Sequence, residues 1–343
     1  MSIIEREDYY SNVQKELRLN PKKWLITGVA GFIGSNLLEF LLNLGQEVVG
    51  LDNYATGFEG NLKEVENKVG KERWRNFRFI NGDIVQIETC FEAVRGADVV
   101  LHQAALGSVP RSIKNPIDTN LSNVNGFLNI LVAMKELNVS RIVFAGSSST
   151  YGDHPRLPKE EDIIGNPLSP YAVTKYVNEL YADVFSKTYE LEYVGLRYFN
   201  VFGKRQNPNG AYSAVIPRWA YAISNNHPVY IYGDGSTSRD FCYVDNVVQA
   251  NILAATTTNS ESINKIYNIA VGDRTTLIEL YQMLMKALSK FKTFAPLDPI
   301  FEDFRAGDVK HSQADISRAI ALLNYSPKYT VEEGIEKDIS WYI

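Results

Sequence analysis

The sequence predicts an α/β protein: a doubly wound parallel sheet with helices on both faces, followed by a smaller mixed α/β lobe. From Lys22 to about residue 200, short runs rich in β-branched residues alternate with helix-length segments of 3.6-residue apolar spacing. A parallel sheet needs a crossover between neighbouring strands, and that alternation supplies a helix for each one. The chain has 343 residues, 45% of them apolar and 22% charged, so it can bury a sizeable core.

Each element follows from its residues. Residues 1–21 are an N-terminal extension, expected to form a surface helix. Lys23–Thr27 (KWLIT), Glu47–Leu51, Phe77–Ile80, Asp98–His102 and Arg141–Ala145 read as strands by length and by their Val, Ile, Leu and Phe content. Phe32–Leu44, Leu62–Val69, Ile87–Val94 and Leu121–Leu137 read as the helices that accompany them. A long helix at Tyr171–Tyr189 and a strand at Val194–Asn200 complete a first domain over residues 22–200. Residues 201–343 form the second lobe. Its helices are expected near Ala214–Ser224, Val244–Ala255, Thr276–Ser289, Asp315–Leu323 and Val331–Ile343. Its strands fall at Val229–Tyr232 and Lys265–Ile269, and its elements are expected to interleave with the first domain.

Composition excludes several classes of function. The net charge of −5 lacks the basic face a nucleic-acid binder needs. No apolar run approaches the ~18 residues of a membrane span. The start, MSIIEREDYY, is acidic where a signal peptide would be basic, so a cytoplasmic location is expected. Cys90 and Cys242 are far apart, and the four histidines show no ligand spacing, so no metal is expected.

After KWLIT comes Gly28-Val29-Ala30-Gly31-Phe32-Ile33-Gly34. In such a G-x-x-G-x-x-G, Gly28 permits the tight strand-to-helix turn and Gly31 lets backbone approach a pyrophosphate. Gly34 lets the helix pack close to the sheet, and the helix N-terminus offers its free N–H groups to the anion. The second strand leads into Asp52, 24 residues after Gly28, near the spacing of the acid that binds a ribose diol. Asn53 and Tyr54 follow, with no Arg to receive a 2′-phosphate, which favours NAD over NADP. Asp83, after the third strand, is either an acceptor for the adenine amino group or a helix N-cap. Together these features specify the Rossmann-type pattern of dinucleotide binding.

Tyr171 and Lys175 open the long helix as Y-x-x-x-K, a spacing that puts phenol and ammonium on one face. A phenol with pKa about 10 is a poor base at neutral pH, and a nearby cation favours its phenolate. It then can take a proton from a sugar hydroxyl and return it. Upstream, the fifth strand delivers Ser147, Ser148 and Ser149 to the carboxyl edge of the sheet, where such folds bind ligands. Ser147 is assigned the catalytic role beside Tyr171, with Ser148 and Ser149 contacting substrate.

These residues resemble the extended short-chain dehydrogenase/reductase family. Further matches are Arg197-Tyr198-Phe199-Asn200, Arg239-Asp240-Phe241 with Val244-Asp245, and Arg305-Ala306-Gly307-Asp308. The resemblance runs from about residue 22 to the C-terminus and is strongest to UDP-hexose 4-epimerases, especially bacterial enzymes acting on UDP-N-acetylglucosamine and UDP-N-acetylgalactosamine. It implies that Gly28, Phe32, Ile33, Asp52, Asn53, Asp83, Ile84, Gln103, Ala104, Tyr171, Lys175 and Val201 contact NAD. It likewise implies that Ser147, Ser148, Asn200, Tyr230, Tyr232, Arg239, Arg305 and Asp308 surround a UDP-sugar. Tyr230 and Tyr232 alternate along a strand, one expected against uracil and the other in the core. Dehydratases of the superfamily carry an Asp-Glu pair after the catalytic hydroxyl, and Ser148 and Ser149 stand there instead, which argues against dehydration.

The expected reaction is reversible C4 epimerisation through a 4-keto sugar. The alternatives are 4-epimerisation of a UDP-hexuronic acid or of plain UDP-glucose, and a non-catalytic sensor of NAD or nucleotide sugar. The resemblance makes the position four residues after the R-x-G-D aspartate a size gate at the sugar's C2. Ser312 occupies it, leaving room for an acetamido group; the other reading is a cap for a helix starting near Ala314. Tyr171–Tyr189 and Leu121–Leu137 carry more apolar residues than one buried stripe needs, so a homodimer through a four-helix interface is expected, against burial within one chain.

Overall fold

The computed structural model describes residues 3–207, 214–292, 298–304 and 310–342. The first half alternates as expected: α1 (Ile3–Leu19), β1 (Lys23–Thr27), α2 (Phe32–Asn43), β2 (Glu47–Asp52), α3 (Glu59–Trp74), β3 (Phe77–Asn81), α4 (Ile87–Val94) and β4 (Val99–His102). Then come α5 (Val109–Lys114), α6 (Pro116–Asn120), α7 (Gly126–Glu136), β5 (Arg141–Ser147), α8 (Pro170–Tyr189) and β6 (Glu192–Tyr198). The second half holds β7 (Val201–Phe202), α9 (Val215–Ser224), β8 (Tyr230–Tyr232), β9 (Ser238–Arg239), β10 (Cys242–Tyr243), α10 (Val244–Thr256), β11 (Lys265–Ile269) and β12 (Thr275–Thr276). It ends with α11 (Leu277–Leu288), β13 (Ile300–Glu302), α12 (Ser317–Leu323) and α13 (Val331–Asp338).

Seven strands form one parallel sheet in the order β3-β2-β1-β4-β5-β6-β11. Because β1 leads to β2 on one side while β4 lies on the other, the strand order reverses between β1 and β4, and a crevice opens at their carboxyl ends. Both faces are covered. Trp24 and Ile26 of β1 point to the face packed by Leu37, Leu38 and Leu41 of α2 and Val247 and Leu253 of α10. Leu25 points to the other face, with Phe127, Ile130 and Met134 of α7 and Phe185 of α8. A separate core, built around Trp219, Ile231, Phe241, Leu280, Leu284 and Ile335, holds the second lobe together.

Some boundaries differ from expectation. The run Leu121–Leu137 is not one α-helix: Leu121–Asn125 is a π-turn ahead of α7. Two short helices, α5 and α6, precede it, each with proline in its first turn. The helix expected from Asp315 starts at Ser317, and the last one stops at Asp338 before a 3₁₀ turn over Ile339–Tyr342. The cut at residue 200 does run through shared structure, since β11 pairs with β6 in the main sheet and α10 packs against the face of α2. The N-terminal extension is a helix, with Leu17 buried and Tyr10 stacked on Phe40 of α2. Gln46 anchors it, donating to Leu17 O at 2.7 Å while accepting from Trp24 Nε1 at 3.1 Å.

Candidate active site

The crevice holds a cleft of about 910 Å³. At its floor the chain leaves β1 through Gly28 at φ +70°, where a Cβ would stand 2.8 Å from the Ala104 backbone. A Cβ on Gly34 would fall 2.1 Å from Gly28 O, so the first turn of α2 can lie on the loop only with glycine there. Gly31 takes the N-cap position of α2 with no side chain to satisfy the helix's first N–H groups. This is a backbone cradle with a helix dipole behind it, suited to a diphosphate.

Asp52 ends β2 beside the cradle. Its Oδ2 accepts from Ala30 N at 2.9 Å and its Oδ1 from Tyr54 N at 2.7 Å, which fixes the carboxylate while leaving each oxygen capacity for a ribose hydroxyl. Burial raises its pKa from the ordinary carboxylate value, against three backbone hydrogen bonds that lower it. Asp83 accepts from Asn53 Nδ2 at 2.8 Å and from Val85 N at 2.9 Å. It is not a helix cap, because α4 starts at Ile87 with Gln86 in the cap position. Phe32, Ile33, Ile84, Gln103, Ala104 and Val201 line the same cleft, so every residue assigned to NAD from the sequence faces one space.

Ser147, Tyr171 and Lys175 line that space as well. β5 runs two residues further than expected, carrying Ser147 to the sheet edge. Ser169 caps α8, its hydroxyl accepting from Ala172 N at 3.2 Å, and Pro170 sits in the first turn, so Tyr171 projects from a fixed helix start. Lys175 is 3% exposed, and its Nζ donates to Ala145 O at 2.8 Å. Burial alone pushes its pKa down to about 8. The expected depression of the Tyr171 phenol is not found. Burial raises it above the ordinary value, the Ser147 hydrogen bond pulls it back only in part, and the Lys175 Nζ stands 6.0 Å from the ring centroid.

The residues assigned to the sugar nucleotide are more dispersed. Asn200 lines the cleft in a left-handed turn, φ 35°, which ends β6 two residues early, and its Nδ2 donates to Asp240 O at 3.0 Å. Ser149 turns back, its hydroxyl donating to Ser147 Oγ at 2.9 Å, and Ser148 begins the same 3₁₀ turn. Tyr230 and Tyr232 do not split between ligand and core. Two residues apart on β8, they share a face, and Ile231 between them supplies the core. Arg239 lies on β9, its Nη1 donating to Ser238 O and to Lys310 O. Ser312 docks beside it, with its N–H on Ser238 O at 3.0 Å, and it caps no helix, since α12 begins five residues later. Arg305 and Asp308 lie outside the described residues.

Sequence reasoning missed part of the wall. Leu106, Gly107, Ser108, Arg205, Gln206 and Ala214 also line the cleft. One signal was available for Ser108: it precedes Val109-Pro110, caps α5 by accepting from Arg111 N, and takes φ 98°.

Comparison with known proteins now adds to this geometry. Residues 24–270 match the NAD dependent epimerase/dehydratase family. The chain belongs to that family. Among solved structures it is similar to the UDP-N-acetylglucosamine 4-epimerase of Methanobrevibacter ruminantium in complex with UDP-N-acetylmuramic acid. They share 36% identity over 94% of this chain and 98% of that one, with a TM-score of 0.85. The Thermus thermophilus UDP-glucose 4-epimerase in complex with NAD shares 33% identity over 93% and 98% of the two chains, with a TM-score of 0.80. A UDP-glucuronate 4-epimerase of Thermodesulfobacterium geofontis is 35% identical, covering 93% of this chain and 95% of its own. The NAD on which the family depends fits the residues present: the cradle at Gly28 and Gly34 has no room for a side chain, and the Asp52 carboxylate beside it keeps acceptor capacity suited to a diol.

Proposed function

We propose that the chain catalyses reversible 4-epimerisation of a UDP-sugar, with UDP-N-acetylglucosamine and UDP-N-acetylgalactosamine as its preferred pair. The coarser activity is supported by the family membership and by relatives that are UDP-sugar 4-epimerases over nearly their whole length. The observation that carries the chemistry is that Ser147, Tyr171 and buried Lys175 line the same cleft as the glycine cradle, with the Lys175 Nζ 6.0 Å from the centre of the Tyr171 ring.

NAD, held by the glycine cradle and Asp52, would supply a reversible hydride acceptor at C4 of the sugar and a positive ring that would favour the phenolate. Tyr171 takes the C4 hydroxyl proton as the hydride leaves, so alcohol becomes ketone and the phenol is neutral again. Ser147 donates to the same oxygen and holds it within reach of the phenol. Lys175 supplies a fixed positive field that opposes the rise burial imposes on Tyr171. After the keto sugar turns its other face, Tyr171 gives the proton back, and the net change is inversion with no oxidant consumed. Gly28, Gly31, Phe32, Ile33, Gly34, Asp52, Asn53, Asp83, Ile84, Gln103, Ala104 and Val201 hold the dinucleotide in this reading. Asn200, Arg239, Ser148, Ser149, Tyr230, Tyr232, Arg305 and Asp308 address the nucleotide sugar.

The preference for N-acetylated sugars rests on Ser312, which has no helix to cap and lies beside Arg239. A tyrosine there overpacks the space of an acetamido group, typically at ~1–3 kcal/mol, a fivefold to hundredfold loss at ~1.4 kcal/mol per decade. Ser312→Tyr is therefore expected to lower kcat/KM for UDP-N-acetylglucosamine by that factor while sparing UDP-glucose. An equal fall for both substrates removes Ser312 as the gate.

The proposal includes a homodimer. Ile113, Ile117 and Leu121 of the α5–α6 region and Val173, Leu180 and Val184 of α8 are exposed, Ile117 by 73%. That is more apolar surface than a helix face in water normally shows. A cytoplasmic location is proposed with it, because Cys90 and Cys242 are buried free thiols. Among the described residues no helix is long and apolar enough to cross a membrane.

A further inference from the structure

The chain on both sides of β7 is held in backbone conformations that side chains rarely adopt: Asn200, just before it, has φ 35°, and Arg205, three residues after it, has φ 67°. Such strain persists only where the surroundings over-determine it. Here the surroundings are a charge network built around one buried arginine, with its partners partly buried. Arg205 is 1% exposed and donates to Glu39 and, at 3.2 Å, to Glu64. Lys204 Nζ donates to both Glu39 oxygens, at 3.0 and 2.9 Å. Burial raises the Glu39 pKa, but the charges of Arg205 and Lys204 outweigh it and hold the carboxylate below its ordinary value. The other side of the turn is fixed as well: Lys204 N donates to Asp338 Oδ2 at 2.8 Å, and Tyr342 OH donates to Gly203 O at 2.9 Å.

Glu39 lies on α2, the helix whose first turn forms the diphosphate cradle. Asn36, one turn nearer the cradle, donates to Phe32 O at 2.9 Å and to Lys204 O at 3.1 Å. On either side of the clamped turn, Asn200, Val201, Gln206 and Asn207 line the cleft. Buried ion pairs repay little stability against apolar packing of the same volume; what they fix is geometry. Here they fix the distance between the cradle and the sugar-facing loop.

We propose that Lys204 and Arg205, held on Glu39, are positioning residues that clamp the substrate loop to the cofactor helix, so that dinucleotide and nucleotide-sugar occupancy favour one another. The proposal rests on the UDP-sugar reading above. Ordering the first turn of α2 around a diphosphate orders Asn36 and Glu39, and through them the 203–205 turn. By reciprocity the nucleotide of the sugar must tighten the dinucleotide by the same factor.

The test measures NAD affinity of the purified protein with and without saturating UDP. In the wild type UDP is expected to tighten NAD by about tenfold, within the usual range of such couplings. Glu39→Gln, which keeps shape and loses charge, brings that ratio close to one and raises the KM for the UDP-sugar more than it lowers kcat. Lys204→Met reduces the ratio, and Lys204→Arg retains it. A merely structural role would lower the melting temperature of Glu39→Gln and leave the ratio intact, which overturns the proposal. If Glu39→Gln does not fold, Lys204→Met decides, since its side chain sits partly at the surface. A wild type that binds UDP with a ratio of one overturns the clamp alone. A wild type that does not bind UDP overturns the UDP-sugar reading.

Discussion

Lys175→Met is expected to make the cofactor-free protein more stable and nearly inactive. The lysine is 3% exposed, and burial pushes its pKa from 10.5 down to about 8. Each pKa unit corresponds to ~1.36 kcal/mol, so holding the ammonium charged in the fold at pH 7 costs roughly 3 kcal/mol. Losing the hydrogen bond to Ala145 O returns about 1 kcal/mol of that, leaving a net gain of about 2 kcal/mol for the methionine. The pH dependence gives the sign. Between pH 8 and about 10.5 the unfolded chain binds a proton here that the folded chain does not, so wild-type stability rises with pH through this window. Urea unfolding of both proteins after removal of nucleotide checks this. The variant should lead at pH 7, and its lead should shrink by pH 9.5. A variant less stable than the wild type at pH 7, or a difference that does not change with pH, refutes a buried charged lysine. The loss of activity, read as turnover at saturating substrate, is the functional counterpart: Tyr171 loses the cation 6.0 Å from its ring.

Gly34→Ala puts a Cβ 2.1 Å from Gly28 O, a clash with backbone that cannot rotate away. At ~1–3 kcal/mol for overpacking, NAD affinity measured by titration should fall about fivefold to a hundredfold, and wild-type affinity would contradict the cradle. Tyr171→Phe should lower kcat by about 10²–10⁴, as removal of a general base does, while UDP affinity stays within a fewfold. Unchanged turnover in that variant would remove Tyr171 as the base. Ile117→Asp, at a residue 73% exposed, should leave the melting temperature nearly unchanged and convert a dimer into a 38.7 kDa monomer in sedimentation. A wild type that already sediments as a monomer at micromolar concentration contradicts the dimer.

Most of the sheet was readable because buried parallel strands are continuous apolar runs with helical spacing between them. Lys23–Thr27, Ile87–Val94 and Lys265–Ile269 fall where their composition put them. The glycines, Asp52 and the strand ends share one cleft for a related reason: they are tied by local backbone geometry, and sequence spacing records it. Residues proposed for the sugar nucleotide lie on β8, β9, the loop after β6 and the segment around Ser312, which are distant in sequence. Tyr230 and Tyr232 were misread because the period of two was applied as if neighbouring residues were being compared. The surroundings of Tyr171 were only half legible, because a sequence shows that a cation is near but not that burial of the phenol pushes its pKa up. Arg205 gave no signal either, because the basic pair Lys204-Arg205 reads as surface until Glu39 and Glu64 are seen against it.

In the proposed reaction Tyr171, with NAD bound, inverts C4 of an N-acetylated UDP-sugar with no net redox change. The most direct test of this is incubation of the purified protein, its dinucleotide content verified, with UDP-N-acetylglucosamine and no added NAD, followed by chromatographic separation of the nucleotide sugars. UDP-N-acetylgalactosamine should accumulate to a constant ratio, the same ratio should be reached from the other side, and absorbance at 340 nm should not grow with product. Protein that carries NAD yet yields no 4-epimer from either sugar contradicts the account.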